Sequence, residues 1–174
     1  MNNGALSGLR YTGIVTLSQY INGKKRIIGK IKNTGGLPLF DFFTDCLIGN
    51  YETAQFNRPS KIMLLKYSDN AESPELIPVS GFIYMISRPE KVNGSDLFSD
   101  FFDNIGTASV ACLSFLVPAN AINETFTHIG LYTDSAGLYN INDYAALVPV
   151  DMANTNFTSE SVLLLDWYLI VSNS

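Results

Sequence analysis

One histidine, two cysteines and a scatter of carboxylates are the residues of this chain whose types could do chemistry. His128 lies in the most distinctive stretch, THIGLYTDSAGLYNI, residues 127–141. A hydrolytic triad needs a histidine beside a nucleophile. His128 alternates with Phe126, Ile129 and Leu131 as a strand residue would, which reads as a packed or surface strand histidine. Zinc needs about four nitrogen or sulfur ligands, and Cys46, Cys112 and His128 fall short. Both cysteines have apolar neighbours, TDCLI and SVACLSF, the setting of buried free thiols. Asp96, Asp100 and Asp103 recur every three to four residues, but without the spacing or closing glutamate of an EF-hand. They read as a solvated acidic face. No G-x-S-x-G elbow, H-E-x-x-H helix or Gly-rich P-loop occurs, and NTGG lacks the Lys-Ser/Thr of a phosphate loop. Paired carboxylates for glycoside hydrolysis need no histidine, and that route stays open. The sequence nominates no catalytic residue, no metal ligand and no cofactor.

The elements that would position these residues are mostly strands. RYTGIVTLSQYINGKKRIIGKIKN reads as a hairpin around Asn22-Gly23, a pair that supplies the positive φ angles of a type I′ turn. Val15, Leu17 and Gln19 fall on one face, and Ile14, Thr16 and Ser18 on the other. Leu39, Phe43, Cys46 and Leu47 recur at helical spacing, with Gly49-Asn50 suited to the C-cap, so one helix is expected over 39–48. YETAQFNRP reads as a loop, KIMLLKY as a strand, SDNAESPELIP as a polar loop and VSGFIYMIS as a strand. Residues 92–105 form a short amphipathic helix or a loop inserted between two strands. TASVACLSFLVP and TFTHIGLYTD are further strands. Gly130, inside the latter, marks a bulge or a close approach of another backbone. The last segment, SESVLLLDWYLIVSNS, is apolar on both faces, as a central strand would be. Trp167 shares its register with Leu163, Leu165, Leu169 and Val171. The pattern predicts a mainly β protein: an antiparallel, jelly-roll-like β-sandwich with one short helix. A polar arm over 1–9 precedes a single domain over 10–174.

Composition bounds the partners. Hydrophobic residues make up 47% and charged ones 16% of 174 residues, enough apolar surface for a real core. Eleven basic residues against sixteen acidic give a net charge of −5, so nucleic acid is not an expected partner, because phosphate binding needs a basic face. Lys24, Lys25 and Arg26 read as a solvated hairpin tip. MNNGALSGLR has no basic region leading into an apolar one, so no signal peptide is expected. The longest apolar run, VLLLDWYLIV, is broken by Asp166 and is far short of the ~20 residues of a spanning helix, so no membrane is expected either.

Taken in order, these elements resemble small structural virion proteins of tailed bacteriophages, found at tail-fibre bases, collars, rings and capsid surfaces. The resemblance rests on Gly36-Leu37 leading into the helix, the strand Ile62 to Tyr67, an insert around Arg88 to Ile105, and the strand Ala111 to Val117. It also rests on Ile129-Gly130-Leu131-Tyr132 and on a terminal strand carrying Trp167. It covers roughly residues 30 to 172. His128 stands where the family often has a glutamate, and Lys66-Tyr67-Ser68-Asp69 where it is often Gly-rich. The resemblance implies a non-enzymatic virion component without cofactor. Such a protein would be made in the host bacterial cytoplasm and act among other virion proteins as a homo-oligomer or repeated array. A receptor- or carbohydrate-binding sandwich is the alternative, although the single tryptophan falls in what reads as a core strand. Candidate interface residues are Leu97, Phe98, Phe101 and Phe102 in the insert, with Tyr51 and Phe56 in the 51–58 segment. The insert phenylalanines either meet a partner or fold back on their own sheet.

Overall fold

Asn22 and Gly23 turn the first hairpin with φ of 51° and 75°, as the Asn-Gly pair foretells. They join β1 (Leu9–Ile21) to β2 (Lys24–Asn33). The computed structural model describes residues 9–33, 37–69, 73–90, 109–133, 141–151 and 157–173. Leu9 already belongs to β1, one residue inside the expected arm, and the rest of that arm lies outside the described residues. Two helices follow, α1 (Leu37–Ile48) and α2 (Tyr51–Asn57). The strands β3 (Pro59–Lys66), β4 (Glu75–Ile77), β5 (Tyr84–Glu90), β6 (Ser109–Val117), β7 (His128–Thr133), β8 (Ala146–Pro149) and β9 (Val162–Asn173) complete the described elements.

The strands form two antiparallel sheets, one in the order β2-β1-β9-β6-β5 and the other in the order β4-β3-β7-β8. The architecture is the β-sandwich read from the alternating pattern. β9 is central, as its apolar faces require, and it pairs with β1 from Leu9↔Asn173 to Tyr20↔Val162. Trp167 aligns with Val15 on one side and Leu113 on the other. It is fully buried with Leu163, Leu165 and Leu169 in one core cluster. That cluster takes Ile62, Leu64, Ile129, Leu131, Ala146 and Val148 from the facing sheet. Leu17 and Ser18 flank a register shift in the first hairpin, where an extra residue increases local twist.

α1 seals one end of the sandwich. Leu39 is fully buried in the core, and Phe42 and Phe43 pack against it. The Tyr11 ring, at the start of β1, meets Phe40 edge-on at 6.2 Å and Phe43 at 5.9 Å. The helix ends in a Schellman motif: Gly49 N–H donates to Cys46 O and Asn50 N–H to Asp45 O, with Gly49 at φ 78°. Three expectations need correction. Leu47 is not on the core face; it points to solvent. The segment read as a loop, 51–57, is a second helix, anchored by buried Ala54. The strand read from VSGFIYMIS begins only at Tyr84, while the loop before it holds the short strand β4. Pairing decided those last two cases: Leu76 and Ile77 find Leu65 and Leu64 across β3, whereas Phe82 finds no ladder partner.

Candidate functional site

The densest polar constellation lies where a single acid interrupts an apolar strand. Asp166 follows the strand period to the face of β9 away from the core cluster, opposite Thr16 of β1 and Ser114 of β6. Its side chain is almost wholly buried, so its charge must be answered locally. Lys25 Nζ donates to Oδ2 at 3.1 Å, and Ser114 Oγ donates to Oδ1 at 2.5 Å. Arg88 Nη1 donates to Ser114 Oγ at 2.6 Å, with Nη2 3.9 Å from Oδ1. Cys112 Sγ lies 3.6 Å from Ser114 Oγ. Ser and Asp in contact resemble part of a hydrolytic site, but the wiring is that of a clamp. The serine proton is committed to the carboxylate, and its oxygen already accepts from Arg88. Lys25, Arg88, Ser114 and Asp166 come from β2, β5, β6 and β9, so one buried carboxylate ties together four of the five strands of its sheet. Nothing in the sequence pattern singled out this network. The signal that could have found it is an acid in a strand otherwise apolar on both faces.

His128 has a structural setting too. Tyr67 N–H donates to Thr127 Oγ1 at 2.9 Å, and Thr127 Oγ1 lies 2.9 Å from His128 Nδ1. Thr127 Oγ1 also donates to Leu65 O at 3.4 Å, so the hydroxyl links the ring to the β3 backbone. The Tyr67 ring sits 4.4 Å from the imidazole, and burial holds the histidine below its ordinary pKa. Two residues on, Gly130 meets a side chain and not the bulge or second backbone expected of it. A Cβ there would stand 2.5 Å from Tyr132 Cε2. The tyrosine ring lies over the glycine, fully buried, and its hydroxyl donates to Ile141 O at 2.6 Å. Burial, with the neighbouring Tyr67, Tyr144 and Asp143, drives the Tyr132 pKa upward. The Ile-Gly-Leu-Tyr stretch is thus a ring-over-glycine lock within β7, with Ile129 and Leu131 filling the core from its other face.

A cleft of about 590 Å³ opens between residues 122–127 on one side and Val150, Asp151, Phe157 and Ser159 on the other. Ile122, Phe126, Val150 and Phe157 give it an apolar floor, and Glu124 and Asp151 stand at its wall. Among the described residues, no group of three or more His, Cys, Asp or Glu is placed to hold a metal ion. Cys46 and Cys112 are free thiols, the first half-buried and the second buried. No helix among the described residues is long and apolar enough to cross a membrane.

Of the candidate interface residues, Tyr51 opens α2 with 67% of its surface exposed. Phe56 lies on α2, one turn further along. Leu97, Phe98, Phe101 and Phe102 lie outside the described residues. Sequence reasoning missed the company that Tyr51 keeps. Leu47 and Ile48, at the end of α1, are 75% and 70% exposed, and Phe40 is half-exposed on the same side. Positions 40, 41, 44, 47 and 48 fall on one stripe at helical spacing. The helix therefore turns Phe40, Leu47 and Ile48 outward, with Asp41 and Thr44 among them, while Leu39 on the other side meets the core. Compared with known proteins, the chain matches no family model, no curated protein and no solved structure.

Proposed function

We propose that this chain is a non-enzymatic structural subunit of a bacteriophage virion, a tail, collar, ring, fibre-adaptor or capsid-decoration component working through repeated protein–protein contacts. The observation that carries this reading is the outward apolar stripe of Phe40, Leu47, Ile48 and Tyr51 on a rigidly cored sandwich. Exposed apolar surface of this kind marks interaction sites. The element order that resembles phage virion proteins supplies the class of assembly. Its partners are other virion proteins and further copies of itself, without nucleic acid, membrane or cofactor, and its location is the virion. Ser114 and Asp166 are engaged in the strand clamp and His128 in a hydrogen-bond chain, which supports the structural reading.

The test is to isolate particles from producing cells on a density gradient and count this chain by quantitative mass spectrometry against the major particle protein. A constant ratio of several copies per particle is expected. A chain that stays in the soluble fraction overturns the reading. The receptor- or carbohydrate-binding alternative has the apolar-floored cleft in its favour, but sugar platforms use exposed Trp and Tyr, and Trp167 is fully buried. Binding on a glycan array, lost on Asp151→Ala, would favour that alternative.

A further inference from the structure

Near the two ends of β1 lie two patches of exposed apolar side chains, one beside helical acids and one beside the bases of the hairpin tip. At the Tyr11 end sit α1 and α2, which contain Asp41, Asp45 and Glu52 and no Lys or Arg. Their outward stripe exposes Phe40, Leu47, Ile48 and Tyr51, roughly 400–500 Å² of apolar surface, the size at which a monomer's largest patch is often functional. At the Ile21 end is the tip of the β1–β2 hairpin. There β2 opens with Lys24, Lys25 and Arg26, while its other two bases, Lys30 and Lys32, lie further along opposite Thr16 and Ile14, on a chain of net charge −5. Around that tip Tyr20 and Ile21 are each 39% exposed and Ile27 is 57% exposed.

We propose that copies of this chain associate head to tail, the acidic, apolar outer stripe of α1 and α2 in one copy seating on the basic, apolar hairpin tip of the next. This rests on the reading of the protein as a repeated structural subunit and names the contact that repeats it. Charge selects the pairing. Stripe against stripe sets Asp41 and Glu52 against their own kind, and tip against tip does the same with Lys24 and Arg26; only the unlike pairing brings opposite signs together. The Lys25–Asp166 bridge ties the tip to its own sheet. Because the two surfaces differ and lie at separate ends of β1, the contact is heterologous. Each copy keeps one unsatisfied surface of each kind, and the product is a closed ring or an open stack. Each contact is small, and strength comes from repetition.

Charge reversal tests it. One variant carries Asp41→Lys and Glu52→Lys, the other Lys24→Glu and Arg26→Glu, all at exposed positions. Sedimentation velocity across a concentration series follows mass, and thermal melts check the fold. The unmodified chain is expected above 19.1 kDa as concentration rises. Each variant alone is expected to lose about tenfold or more in self-association, because both of its surfaces then carry the same sign. An equimolar mixture of the two is expected to recover the large species, since each supplies the partner the other lost. If a reversal unfolds the chain, Leu47→Arg with Ile27→Glu, again separately and mixed, repeats the test at positions outside the core. A mixture that stays at 19.1 kDa overturns the proposal, as does an unmodified chain that stays monomeric at every concentration. Variants that assemble alone as well as the unmodified chain overturn this contact, while the virion reading is decided separately by the particle count.

Discussion

Gly130→Ala is the sharpest probe of the β7 lock. The added methyl would lie 2.5 Å from Tyr132 Cε2 and 3.0 Å from both Cζ and the hydroxyl oxygen. The ring has nowhere to go. It is fully buried, and its hydroxyl is held by Ile141 O at 2.6 Å. Local overpacking of this kind costs ~1–3 kcal/mol. If the ring swings far enough to break its hydrogen bond, another ~0.5–1.5 kcal/mol is lost. Replacing glycine returns ~0.4–1 kcal/mol through the unfolded chain, since Gly130 is not among the residues at positive φ. The expected net loss is about 1–3 kcal/mol, or roughly 2–12 °C in Tm for a chain of this size. Chemical denaturation gives the free energy, and a double-mutant cycle gives the cause. In a Tyr132→Ala background the same Gly130→Ala change should cost nothing or stabilise by up to ~1 kcal/mol. An equal cost with and without the ring would refute the contact as its origin, and so would a cost below ~0.5 kcal/mol in the unmodified chain.

Three further outcomes follow from the same contacts. Trp167→Ala removes the largest fully buried side chain and should cost ~3–5 kcal/mol in denaturant unfolding; a loss below ~1 kcal/mol would contradict its place in the core. Ser114→Ala leaves Asp166 Oδ1 without its 2.5 Å donor, and a loss of ~1–3 kcal/mol is expected for an under-satisfied buried carboxylate, with no loss if Arg88 can close its 3.9 Å gap. Burial lowers the His128 pKa below its ordinary 6.5, so the unfolded chain binds the extra proton first. The histidine's contribution is then complete above pH ~6.5 and declines as pH falls toward the lower folded value. His128→Asn should flatten the Tm profile in that window, and an unchanged slope would place the pH dependence elsewhere.

How far the sequence discloses this molecule depends on the range of the interaction. Asn22-Gly23 and Gly49-Asn50 are legible because a positive φ is a local demand that few residues meet. β9 is legible as a central strand because burial on both faces leaves no polar alternation, and Trp167 falls in the core with its register mates. α2 is not legible: YETAQFN is too short for a periodic signal and is held by the packing of Ala54. Asp166 reads as a mere break in a greasy run, because its partner Lys25 is 141 positions away along the chain. Leu47 is the instructive error. It fits the helical spacing of Leu39, Phe43 and Cys46, but a helix with apolar residues on two sides does not declare which side meets the core. Tyr51 stands out in the sequence because it is a large aromatic in a polar stretch, and the structure leaves it exposed. The outward stripe it belongs to emerges only once α1 is placed against Tyr11.

The pairing of β1 with β9 has a consequence for how the chain reaches its fold. These neighbours at the heart of one sheet are the first and last described strands, joined from Leu9↔Asn173 to Tyr20↔Val162. Closing a loop of that length costs about 4 kcal/mol in chain entropy, and no ladder bond between them repays it until both are present. Before β9 leaves the ribosome, β2–β1 and β6–β5 are two separate hairpins with nothing to join them, and an isolated hairpin is marginal in water. Sheet formation must therefore wait until β9 is available and then proceed as one slow event dominated by distant contacts. Until that moment the chain exposes the greasy faces of β1 and β6, and its productive yield depends on how well the cell protects the nascent chain from aggregation.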